Sequence, residues 1–153
     1  MTPPGEQLCY TDAYARSTEG RVRHVEVGEA TLVVLDRTVF YPGGGGQPPD
    51  RGVLLRAADG RTWVVRGARK AGGEIVHELE PGGGDPPDVG DVVEVDLDWV
   101  RRFALMRTHT ALHALCGVVW RDHGAQVTGG NMEPGAGRMD FEFESMSGDL
   151  VDS

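Results

Sequence analysis

The feature that most constrains this chain is a change of pattern at Asp98. Ahead of it, clusters of Gly, Pro and Asp cut the sequence into short runs that alternate or are β-branched. Behind it, from Trp99 to about Asp122, there is no Pro and a single Gly, Gly117. Period-2 runs bounded by turn residues form strands, whereas a long Pro-free run of good helix formers forms a helix. The predicted strands are Arg21–Val27, Thr31–Leu35, Gly52–Ala57, Thr62–Gly67, Glu74–Leu79 and Val92–Leu97. Strands this short, spaced by about ten residues, imply a small β-barrel or a sandwich. The Pro-Gly-Gly-Gly-Asp-Pro-Pro-Asp run at 81–88 supplies no core side chain and reads as a surface loop.

Asp98 is the expected N-cap of the helix, and His123-Gly124 its expected stop. Val100, Phe103, Met106 or Arg107, Thr110, His113 or Ala114, and Gly117 fall along one stripe. Leu105, Leu112, Leu115 and Val119 add apolar bulk, so the helix is expected to be largely buried. A turn-rich piece, Val127–Gly135, follows, and Arg138–Phe143 alternates as a strand. The final run, Glu144–Ser153, offers little core-forming material. Residues 1–97 therefore read as one small β-barrel, and residues 98–153 as a second part of one helix and one strand, thin for an independent domain.

Composition bounds the function. The formal charge of −9 disfavours sequence-independent binding of nucleic acid, which depends on neutralising phosphates. Arg16, Arg21 and Arg23, or Arg61, Arg66, Arg69 and Lys70, form local basic strips that also fit ordinary solvated strand faces. No apolar run reaches the roughly 18 residues of a membrane span, and the N-terminus lacks the pattern of a signal peptide, so a cytoplasmic protein is expected. Cys9 and Cys116 are too few for a disulfide framework.

Two segments carry chemistry. In Arg107-Thr108-His109-Thr110-Ala111-Leu112-His113, two histidines four apart share a helix face. Such a pair can converge on one metal ion, or be two ordinary histidines. Thr110 stands where a zincin helix carries its general-base Glu, which removes a metalloprotease reading. Cys116 lies too far along the helix from His109 to share an ion easily and reads as a small core residue. The second segment is Thr38-Val39-Phe40-Tyr41-Pro42-Gly43-Gly44-Gly45-Gly46-Gln47-Pro48-Pro49-Asp50-Arg51-Gly52. Its glycines let the backbone approach a ligand and expose N–H groups, Gln47 offers an amide, and Phe40 and Tyr41 can wall a pocket. No Gly-Lys-Ser/Thr follows, so it is not a P-loop.

The glycine-rich run resembles the motif of alanyl-tRNA synthetase editing domains and of their free-standing relatives, the AlaX-type alanyl-tRNA editing proteins. Arg101-Arg102 through Met106–His113 is similar to the same family's H-x-x-x-H helix, and Gln126–Met132 through Arg138–Phe141 to the segment after it. The resemblance implies a β-barrel of the translation-protein type followed by the start of an α/β (α+β) editing domain. It implies zinc-dependent hydrolysis of mischarged seryl- or glycyl-tRNA(Ala), with His109 and His113 as metal ligands. Thr38 and Gln47 would stand beside the substrate amino acid and ester, with Phe40, Tyr41, Gly44, Gly45 and Gly46 binding substrate. The partner implied is the acceptor end of tRNA(Ala) carrying a wrong amino acid. Family members take their remaining zinc ligands from a C-x-x-x-H motif farther along, which these 153 residues lack. The chain is accordingly expected to be C-terminally incomplete, with half a zinc site and little deacylase activity. Glu144–Ser153 is expected to run into a further helix. The alternative is a non-catalytic barrel that binds tRNA or a protein partner.

Overall fold

The computed structural model describes residues 3–143. Its elements in chain order are β1 (Glu6–Gln7), β2 (Ser17–Val27), β3 (Thr31–Leu35), β4 (Arg37–Thr38), β5 (Gly52–Arg56), β6 (Thr62–Ala71), β7 (Glu74–Leu79) and β8 (Val92–Leu97). The long helix α1 (Trp99–His123) and the strands β9 (Gln126–Glu133) and β10 (Ala136–Glu142) complete the list. The chain divides into two compact units between Arg102 and Phe103. The expected run from Glu144 into another helix lies outside the described residues.

In the first unit six strands close an antiparallel barrel in the order β2-β3-β7-β6-β5-β8. Alternation builds its core: Val93, Val95 and Leu97 of β8 point inward while Glu94 and Asp96 face water. Trp63 and Val65 of β6, Val33 and Leu35 of β3, and Leu54 of β5 meet them in one cluster with Val39 and Phe40. Strand β2 begins at Ser17, ahead of the predicted Arg21, because it serves two neighbours. Ser17–Arg21 pairs with β8 and Val22–Val27 with β3. Nor does the start of β2 alternate visibly, since buried Gly20 lies where a Cβ would stand 2.5 Å from the Arg37 carbonyl oxygen. Outside the barrel, β1 and β4 form a two-residue parallel pair that no periodicity announces.

Helix α1 starts as expected, with Asp98 Oδ1 accepting the Arg101 N–H at 3.0 Å. It stops at Gly124 (φ 64°), whose N–H donates to the Trp120 carbonyl. Two expectations for the second unit need correction. The segment at 127–135 is mostly strand: β9 pairs with β10 as an antiparallel hairpin that turns at Pro134-Gly135. Its glycines suggested turns, but cross-strand pairing decides the backbone there. The helix is also far from buried, since only Arg102 and Leu105 along it are. The hairpin covers one face, where Gly135 N–H donates to Thr108 Oγ1 and Gly137 lies close against Leu112. Elsewhere Phe103, Leu115, Val118 and Trp120 stay exposed, because one hairpin cannot cover apolar residues spread around a helix.

Candidate functional site

The glycine-rich segment leaves β4 at Thr38 and returns to the barrel at β5. Its base is a closed pair: Asp50 N–H donates to the Tyr41 carbonyl at 3.0 Å, and Tyr41 N–H donates to Asp50 Oδ2 at 2.7 Å. Beneath it lies Arg102, from the first turn of α1. Its Nε donates to both Asp50 oxygens at 2.9 and 3.0 Å, Nη2 to the Val39 carbonyl at 2.9 Å, and Nη1 to the Ala13 carbonyl at 3.2 Å. Both charges are buried, and this fork satisfies them. Arg101 adds a bond to the Pro49 carbonyl. The loop is thus gripped just before Phe40 and just before Arg51.

Above that base the chain makes a tight turn. Gly44 and Gln47 exchange both backbone hydrogen bonds at 3.0 Å, and the central Gly45 and Gly46 have φ of 58° and 81°. Positive φ at both central positions is the I′ arrangement, which glycine adopts without strain. The Tyr41 hydroxyl donates to the Gly44 carbonyl at 2.9 Å and braces the turn; partial burial pushes its phenol up. Both central glycines are exposed, and their N–H groups donate to no protein acceptor among the described residues.

Thr38 is buried, and its Oγ1 lies 2.7 Å from His77 Nε2 while accepting the Phe40 N–H at 3.1 Å. His77, on β7, places Nδ1 3.0 Å from the Val33 carbonyl. Burial lowers its imidazole from 6.5 to about 4, so the ring is neutral near pH 7. Phe40 lies in the barrel core with its ring edge-on to His77 at 5.1 Å, so it packs against the site rather than facing solvent. His77 was open to sequence reasoning: with Ile75 and Leu79 it completes the inward-facing series of β7.

In the second unit His109 and His113 stack with ring centroids 4.9 Å apart and planes 19° from parallel. His109 is half-buried and His113 exposed. Cys116 contacts Met139, Sγ to Sδ 3.5 Å, as a packing residue does. Among the described residues no group of three or more His, Cys, Asp or Glu side chains could hold a metal. Burial raises the Cys9 thiol to about 11, which makes it a poor nucleophile. The basic strips are largely paired: Arg23 with Glu74, Arg61 with Asp85 and Arg66 with Glu78. Arg16 lies over Trp99, and Lys70 over Tyr10. Among the described residues no helix is long and apolar enough to cross a membrane.

A sequence profile of the tRNA synthetases class II (A) matches residues 9–101. The alanyl-tRNA editing protein AlaX-M of Methanosarcina mazei is 41% identical over 143 residues, covering 92% of this chain and 56% of that protein. Its counterpart in Methanosarcina barkeri is 40% identical, covering 95% of this chain and 64% of its own length. The alanine–tRNA ligase of Caldivirga maquilingensis is 43% identical over 125 residues, 82% of this chain and 13% of the ligase. The chain spans 56–64% of the length of the editing proteins it matches.

Proposed function

The chain belongs to the tRNA synthetases class II (A) family, and from that membership we propose that it is an editing module, a hydrolase that frees the acceptor end of tRNA(Ala) from a wrong amino acid. It would act in trans, in the cytoplasm, on seryl and glycyl esters. The likeness to proteins named alanyl-tRNA editing protein supports the substrate. The observation that carries the reaction is the loop: two adjacent glycine amides that meet no acceptor among the described residues, on a turn braced from below by Asp50 and Arg102. Ester hydrolysis needs a positioned water and donors aimed at the developing oxyanion, and rigid backbone amides serve the second need. We assign Gly44, Gly45 and Gly46 to that binding and Tyr41 to bracing and walling it. Gln47 and Thr38 are the polar groups beside the ester and the amino acid, with Phe40 packed behind Thr38. In this reading the barrel is of the translation-protein type, and α1 with its hairpin opens an α/β editing domain.

His109 and His113 are donors of the kind Zn2+ takes. They are two of the four a tetrahedral site needs, and the described residues offer no third. What is present does not by itself fit the ion, so we assign the pair as half of a Zn2+ site and pass no step of the reaction through it.

The test is to incubate the 153-residue chain with seryl-, glycyl- and alanyl-tRNA(Ala) and to measure the zinc it retains. Seryl and glycyl esters should be lost slowly but faster than in buffer, the alanyl ester should be spared, and zinc should stay below one ion per chain. Tight one-to-one zinc with fast turnover would overturn the half-site assignment. Salt-dependent tRNA binding with no ester loss would replace the hydrolase by a non-catalytic RNA-binding barrel.

A further inference from the structure

We infer that His77 is a positioning residue of the glycine-loop site: it fixes the Thr38 hydroxyl as a hydrogen-bond acceptor toward any ligand that reaches it, so this position selects groups presenting an O–H or N–H. The inference rests on Thr38 belonging to the ester site proposed above.

It follows from counting protons. The Val33 carbonyl, 3.0 Å from His77 Nδ1, has only lone pairs to offer. Nδ1 must therefore carry the ring proton, since the other tautomer would set lone pair against lone pair. In the neutral ring Nε2 is then bare. The hydrogen at the 2.7 Å contact between Nε2 and Thr38 Oγ1 has to come from the threonine. A hydroxyl has one proton and two lone pairs. Thr38 spends the proton on His77 and one lone pair on the Phe40 N–H at 3.1 Å, which leaves a single acceptor site.

The surroundings keep this assignment in place. His77 is wholly buried and Thr38 is 3% exposed, so bulk water does not rearrange the bonds. The ring is flanked by its pairing partners Val33 on β3 and Ala68 on β6, neither of them charged. Phe40 packs edge-on against it, which resists a ring flip. A serine or threonine hydroxyl left to itself rotates to suit its partner. Here the partner's tautomer, set by a carbonyl on a neighbouring strand, makes the choice in advance.

Nitrogen-15 NMR of the histidine rings tests the proton count on the 153-residue chain without any ligand. Of its five histidines, one should be neutral with its proton on Nδ1. Thr38→Val should then shift the Nε2 signal of that ring and leave Nδ1 in place. A proton found on Nε2 overturns the inference. Selection is tested with two hydrolysis-resistant probes, adenosine carrying 3′-amide-linked serine or O-methylserine. The wild-type chain should bind the seryl probe about tenfold more tightly, the worth of one hydrogen bond to a donor. His77→Gln keeps an amide oxygen where Nε2 stood and should retain the preference. His77→Asn reaches Val33 but not Thr38 and should lose it at matched melting temperature. Preference lost in both variants, or kept in both, overturns the positioning role. If the wild type binds neither probe, the ester-site reading fails, and the ring-nitrogen result decides the proton count independently.

Discussion

A buried ion pair is tolerated only when each of its nitrogens and oxygens has a hydrogen-bond partner. Asp50 with Arg102 meets that condition through bonds to each other and to Val39, Ala13 and Tyr41. Removing one partner strands the other in the interior, at a cost of about 3–5 kcal/mol. Asp50→Asn should lower stability by that order in urea unfolding, while Asp50→Leu combined with Arg102→Met should cost less than Asp50→Asn alone. A double variant worse than the single would show that the pair itself is the stabilising element. His77 adds a pH dependence. Its ring takes a proton near 6.5 when unfolded and near 4 when folded. Between those values the unfolded state binds more protons, so stability is full above about pH 6.5 and falls as pH drops, levelling off below about 4. A shift of that size is on the order of 3 kcal/mol. Urea midpoints measured from pH 7.5 to 4 should show the decline, and His77→Gln should flatten it.

Turn-bounded apolar runs place β3, β7 and β8 at their observed limits. Strand β8 alternates along its whole length, whereas Ile75, Val76 and His77 of β7 are buried in succession. Where pairing outruns alternation the pattern fails: β6 continues to Ala71 against β7, beyond the predicted Gly67. The glycine-rich motif was legible because turn chemistry is local. Its supports were not, since Thr38 meets His77 across 39 residues and Asp50 meets Arg102 across 52. Only the closed barrel brings those positions together. Closure also explains one strict requirement at the start of β5. A Cβ on Gly52 would lie 2.0 Å from the Asp96 carbonyl oxygen and 2.9 Å from the Phe40 ring. Gly52→Ala should therefore push β5 away from β8 and disturb the residue behind Thr38. We expect a loss of about 2 kcal/mol or more, in the range of overpacked cores. The barrel's NMR signals should shift around Phe40 and Asp96; an unperturbed spectrum would mean the strands part without cost.

At the scale of the whole molecule the two units differ in how completely each buries its own apolar surface. The barrel closes on itself, so it has no edge strand, and its inward side chains form one cluster. From Phe103 onward the buried apolar residues among those described are Leu105, Ala125 and Met132. Phe103, Leu115, Val118 and Trp120 remain 38–55% exposed on the helix. Helices gain most of their stability from packing an apolar face, and a lone hairpin is marginal in water. Local stability follows buried contact, so the two units should not open together. Amide hydrogen exchange on the 153-residue chain should find the slowest amides in β3, β7, β6 and β8. Exchange in β9, β10 and the C-terminal half of α1 should be at least a hundredfold faster, a gap of about 2.7 kcal/mol. The first turn of α1 should follow the barrel, because Asp98 caps it and Arg102 is tied to Asp50. Uniform protection through β10, or a single unfolding transition for both units, would show that the helix and hairpin draw support beyond their own packing.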